Sequence, residues 1–141
     1  MMTAQQYLGR YRAAQVDMQR SERLIRKITA LLEVQGMDTT SEKVQTSNND
    51  DRTARLIAEL VDARKEFEAT RETSIGMLRE IARVIGEVEQ PLHKQLLEMR
   101  YIDGLTWFEI SNNLHVTYRH VFNLHHRALE EIEGKYTFLA E

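Results

Sequence analysis

The stretch "TWFEISNNLHVTYRHVFNLHHRAL", Thr106 to Leu129, decides the fold. Thr106 and Glu109 stand three apart, the spacing of a capping box, in which hydroxyl and carboxylate each accept from a free backbone amide at a helix start. Ile110 and Leu114 then fall on one face of a short helix. Thr117 is placed to cap a second helix, whose Val121, Leu124, Ala128, Leu129 and Ile132 form an apolar face. Tyr118, Arg119, Phe122, Asn123, His126 and Arg127 turn away from that face. Two capped helices joined by Leu114, His115 and Val116 make a helix-turn-helix, whose second helix is the one that can lie in a DNA major groove.

Just upstream, Gln90 and Pro91 open another helix, because proline is favoured at the first helical position and tolerated poorly inside. Leu92, Leu96, Leu97 and Met99 give it an apolar face, Tyr101 and Ile102 close it, and Gly104 stands where a helix end needs a left-handed residue. Further back the pattern lengthens. Tyr7, Tyr11, Ala14, Met18, Ser21, Ile25, Ile28 and Leu32 alternate spacings of four and three, a heptad seam. Gly36 is a candidate cap for that helix, and "MDTTSEKVQTSNNDD", residues 37–51, is rich in side chains that compete for backbone hydrogen bonds and reads as a mobile loop. A second seam runs from about Arg52 through Ile57, Leu60, Phe67, Leu78, Ile81, Ile85 and Val88, with Arg64, Arg71 and Ser74 on the same stripe, so that its middle reads as polar.

The expected architecture is therefore all-α: a long, coiled-coil-like helical hairpin over residues 1–89, with a loop at 37–51, followed by a helix-turn-helix domain over 90–141. Amphipathic helices of this length must pack on something. They can meet within one chain or between two, and Tyr11, Met18, Ile25, Phe67 and Ile81, if exposed, would favour a homo-oligomer.

With no cysteine among 141 residues there is no disulfide, thiolate metal site or catalytic thiol. No apolar run approaches membrane-spanning length and the N-terminus has no signal-peptide pattern, which points to a cytoplasmic protein with no membrane partner. The net charge of -3 means that nucleic-acid binding needs a local surface rather than a general basic coat. Residues 91–141 hold five Lys and Arg against seven Asp and Glu, yet the outward face from Tyr118 to Arg127 has no carboxylate. A groove-facing surface needs that, because phosphates repel carboxylates.

His115, His120, His125 and His126 fall within twelve residues. Paired ligands on a helix need spacings of three or four, which His120, His125 and His126 lack, so they read as hydrogen-bond donors to phosphate or as packing residues, with no metal or cofactor. No glycine-rich phosphate loop, nucleophile elbow or spaced carboxylate pair points to an enzyme.

"QLLEMRYIDGLTWFEISNNLHVTYRHVFNLHHRALEEI" resembles the fourth conserved region of bacterial sigma factors, in which a leucine-rich helix ending in "RY-x-x-G" leads to "L-[ST]-x-x-E-I-A" and a recognition helix closing in "H-R-A-L". Joined to long N-terminal helices, it is similar to small phage transcriptional regulators of the RinA and ArpU type, associated with late-gene activation. The resemblance covers about residues 90–133. It implies a sequence-specific regulator of transcription that binds double-stranded DNA and is not an enzyme. Carried over by position, Thr117 caps, Tyr118, Arg119, Phe122 and Asn123 face base edges, and Arg127 meets the backbone, with His120 and His126 completing the DNA-binding set. His115 replaces the usual turn glycine, at roughly 1 kcal/mol if left-handed. Phe122 replaces a commonly basic or polar residue and can meet a thymine methyl, pack on a partner or be buried. The competing reading is a coiled-coil adaptor that binds RNA polymerase or another protein without reading DNA.

Overall fold

The computed structural model describes residues 2–38 and 46–136. Five helices occupy them: α1 Ala4–Asp38, α2 Thr46–Gly86, α3 Pro91–Leu97, α4 Trp107–Leu114 and α5 Tyr118–Lys135, with a π turn over Glu98–Ile102 extending α3. No strand occurs among the described residues, so the fold is all-α as expected. α1 runs through Gly36 to Asp38 and α2 begins at Thr46, so helix takes up both ends of the stretch expected to be a loop. Gly36 lies inside α1 rather than capping it. The rest of that loop, residues 39–45, lies outside the described residues.

The first seam is present as read, with Tyr7, Ala14, Ser21 and Ile28 buried and Tyr11, Met18, Ile25 and Leu32 half-buried. The second is shifted only in its first half. Leu60, Phe67, Ser74, Leu78, Ile81, Ile85 and Val88 are buried or half-buried as read, and Thr53, Leu56, Ala63, Thr70, Met77 and Val84 join them at spacings of three and four. Ile57 is 49% exposed, and Arg64 and Arg71 face solvent. The polar middle of the stripe is thus an error of one residue: small Ala63 and Thr70 occupy the positions assigned to the two arginines. Thr70 fits a seam because its hydroxyl donates to the Glu66 carbonyl, 2.9 Å away, leaving its methyl to pack. Within residues 15–73 the two long helices pack together along these stripes. Met18, Ile25 and Phe67 are half-buried there, and Ile81 is fully buried elsewhere, so they are not the open patch on which self-association was expected to rest.

The chain divides into compact units at 14/15 and 73/74 rather than at 89/90: Gln15–Thr73 is one, and Met1–Ala14 with Ser74–Glu141 is the other. The physical reason is a shared core. Ala4, Tyr7 and Leu8 of α1, Ile81, Val84 and Ile85 at the end of α2 and Val88 just beyond it join Leu96, Leu97, Tyr101, Ile110, Val121, Leu124, Ala128 and Ile132 in one apolar cluster. At its edge the Tyr7 hydroxyl donates to the Glu80 carboxylate at 2.7 Å, and Arg10 lies 3.6 Å from the same carboxylate. The Ala4 amide donates to Glu133 on α5 at 3.2 Å.

Local chemistry sets each helix start and stop in this unit. Gln90 accepts from the Leu92 amide ahead of Pro91 at the first position of α3. The π turn closes through amides of Asp103 to Glu98 and Leu105 to Met99, each 2.9 Å, with Gly104 at φ 74°. The capping box is formed: the Glu109 amide donates to Thr106 Oγ1 at 3.1 Å and the Thr106 amide to the Glu109 carboxylate at 2.8 Å. α4 ends in a Schellman arrangement, Val116 N–H to Ser111 at 3.1 Å and His115 N–H to Asn112 at 3.3 Å. His115 holds the left-handed position, φ 57° and ψ 43°. His115→Gly should therefore raise unfolding free energy by about 0.5–1 kcal/mol, the strain removed being partly offset by the extra freedom of an unfolded glycine. A urea titration showing equal or lower stability would count against strain at this turn.

Candidate nucleic-acid interface

α5 buries one face and presents the other. Val121, Ala128 and Ile132 are fully buried, with Leu124 nearly so. Thr117, Tyr118, Arg119, His120, Phe122, Asn123, His126 and Arg127, the whole set expected from the sequence, are exposed. Arg119 and Asn123, four apart, share a helical face in the first turns. Thr117 Oγ1 accepts from the His120 amide at 3.1 Å, so this threonine starts the helix as well as bordering the surface. His126 lies 3.4 Å from Glu130, which brings one carboxylate to the far end of the surface. Among the described residues Arg119 and Arg127 have no carboxylate partner, so both cations are open to an external anion.

Phe122 is neither buried nor loose. It is 41% exposed, with its ring centroid 5.3 Å from Trp107 and 5.1 Å, edge-on, from Tyr118, itself 52% exposed. Aromatic pairs at such separations add stabilisation beyond area burial and fix ring orientation. The exposed side of α5 thus carries a braced apolar island beside Arg119 and Asn123.

Behind it lies a set of groups whose mutual contacts the sequence does not reveal, with His125 taking the packing role of the two read for the histidines. The Arg100 guanidinium stacks over the Trp107 ring at 4.2 Å and donates to the Leu105 carbonyl at 3.0 Å. Trp107 meets the edge of His125 at 4.6 Å, and His125 Nε2 is 2.7 Å from the Tyr101 hydroxyl. His125 is buried on the opposite side of α5 from the exposed His120 and His126. Among the described residues no group of three or more His, Asp or Glu is placed to hold a metal. The available signal was the i, i+4 pairing of Val121 and His125 on the inward face; that His125 would meet Tyr101 depends on the packing of α3 against α5, which periodicity does not specify.

Burial lowers the His125 pKa to about 4, with the charges of Arg100 and His126 acting in the same direction, and burial raises the Tyr101 phenol to about 12. The pair is therefore neutral near pH 7. A neutral imidazole can accept the phenol proton at Nε2; a protonated one cannot. The unfolded chain binds a proton near pH 6.5, whereas the folded chain resists one until about pH 4. Stability from this group is complete above about pH 6.5 and falls as pH drops towards 4. Unfolding at pH 5 should cost roughly 2 kcal/mol less than at pH 7.5, a loss His125→Gln should largely lack. Equal pH dependence in wild type and variant would contradict this assignment.

A model of a family described as "Protein of unknown function (DUF1492)" matches residues 33–133, more than half of the chain, and takes in the helix-turn-helix. No curated protein and no solved structure gives a significant match.

Proposed function

We propose that this chain, which belongs to the DUF1492 family, is a sequence-specific DNA-binding transcriptional regulator of the phage late-gene activator type, with α5 as the helix that enters the major groove. The observation that carries the reading is the outward face of α5: Arg119 and Asn123 on one side of a capped helix, no carboxylate from Tyr118 to Arg127, and two arginines without carboxylate partners among the described residues. Arginine and asparagine are the side chains that make two-pronged contacts with guanine and adenine edges. The capping box and the Schellman turn hold the helix in a fixed orientation, which base readout requires.

No cofactor or metal enters the mechanism. α5 reads base edges, Arg127 and the exposed histidines hold phosphate, and the core beneath keeps the reading surface rigid. A DNA partner of this kind shows itself by salt dependence, because each phosphate neutralised releases counterion. The test is selection from a pool of randomised duplexes, followed by salt titration on the selected sequence and on random DNA. Enrichment of a consensus is expected. Arg127→Ala should weaken both duplexes alike and reduce the salt slope by about one unit.

The second reading, an adaptor that docks on RNA polymerase or another protein without reading DNA, is favoured by one feature: Phe108 on α4 is 64% exposed. No enrichment from the pool, with Phe108→Ser abolishing capture of purified polymerase, would select it.

A further inference from the structure

Besides its core contacts and the Ala4–Glu133 bond, the long N-terminal helix approaches the turn that precedes α4. Arg12, on α1, lies against the turn at Gly104: a Cβ built on that glycine would be 3.4 Å from Arg12 Nη1. Arg100 flanks the same turn from the π segment, held half-buried by its stack on Trp107 and its bond to the Leu105 carbonyl. Arg10, two residues earlier on α1, is 3.6 Å from Glu80. Arg12 and Arg100 have no such counter-charge among the described residues.

We propose that Arg12 and Arg100 form a two-guanidinium site for a phosphodiester, built across the Gly104 turn immediately before α4, so that the N-terminal helix grips the backbone of the duplex that α5 reads. This rests on the reading of α5 as DNA-facing. Two cations sharing one turn repel each other, and part of the depression of the Arg100 pKa, after that from burial, comes from Arg12. An anion between them removes that repulsion. Guanidinium matches phosphate because its fixed fork of N–H donors meets two phosphate oxygens at once. Arg100 is preorganised by its stack, and the missing Cβ at Gly104, which already needs glycine for its φ of 74°, leaves Arg12 room to lie along the turn. The site supplies no base discrimination; it fixes register and orientation.

The test uses the full chain and Arg12→Gln, a solvent-facing substitution outside the core. In fluorescence anisotropy across a salt series, Arg12→Gln should lower the salt slope by about one unit and weaken selected and random duplexes by the same factor. In a second arm, replacing chloride by sulfate at constant ionic strength should raise the melting temperature of wild type more than that of Arg12→Gln, the variant reporting the general salting-out effect of sulfate. A variant that matches wild type in both arms overturns the site. So does one that weakens only the selected duplex, which would make Arg12 a base contact. If wild type binds no duplex, the reading of α5 fails, and the sulfate arm alone decides: a shift that Arg12→Gln loses supports a site for free phosphate or sulfate, and equal shifts overturn it.

Discussion

Leu8→Ala should lower the unfolding free energy of the helix-turn-helix by about 2–5 kcal/mol, although residue 8 lies almost a hundred positions before that motif. Leu8 is fully buried in the same apolar cluster as Ile81, Leu97, Val121 and Ile132, and the alanine leaves a cavity that a close-packed core closes only in part. The chain has one tryptophan, Trp107, at the start of α4, so its fluorescence reports this unit directly. Its urea midpoint should fall in Leu8→Ala and stay within about 0.5 kcal/mol of wild type in Leu24→Ala, where the side chain is 48% exposed. A Trp107 transition unmoved by Leu8→Ala would separate the helix-turn-helix from α1 and restore a boundary near residue 90.

Arg119→Ala and Asn123→Ala should each cost about 1–3 kcal/mol on the preferred duplex and relax preference at one base position, while leaving binding to random DNA nearly unchanged. Both residues are exposed, away from the core, so the loss cannot come from misfolding. Arg127→Ala provides the contrast, with similar losses on every duplex. Equal losses on specific and random DNA for all three, or no loss, would mean that α5 does not read sequence.

The parts of this fold that are legible in the sequence are those governed by local chemistry. Thr106, Glu109 and Thr117 announce helix starts because only certain side chains satisfy the free amides there, and the structure forms the expected bonds. The left-handed conformation of His115 is expected only from the resemblance, which puts glycine at that turn, and the structure holds the residue there. The second seam is harder. Leu56 and Ile57 are adjacent and equally apolar, and choosing Ile57 carries the first part of the stripe onto Arg64 and Arg71. Alanine and threonine carry too little hydrophobic signal to correct the frame, although their small size suits a helix–helix contact. Gly36 shows a different failure, since a residue that destabilises a helix interior by up to about 1 kcal/mol is not enough to end a long one.

For the interface, Tyr118, Arg119, Phe122, Asn123, His126 and Arg127 are exposed as read, and these outward positions follow from periodicity. The bracing of Phe122 by Trp107, the buried His125–Tyr101 pair and the approach of Arg12 to Gly104 do not. Each joins residues on different helices, and helical spacing carries no information about how those helices meet. The membership of α1 in the C-terminal core is of the same kind: the apolar character of Leu8 was visible, its partners were not.

On the proposed function, the outward face of α5 contacts base edges. Amide chemical-shift mapping of the isotopically labelled chain against the duplex enriched from a random pool tests it most directly. The largest perturbations are expected at Thr117 to Arg127, with Arg119 and Asn123 among the side chains that move most, and much smaller changes at the buried face of Val121, Leu124 and Ala128. Perturbations absent from that segment while the duplex is bound elsewhere, or no perturbation at saturating duplex, would contradict it.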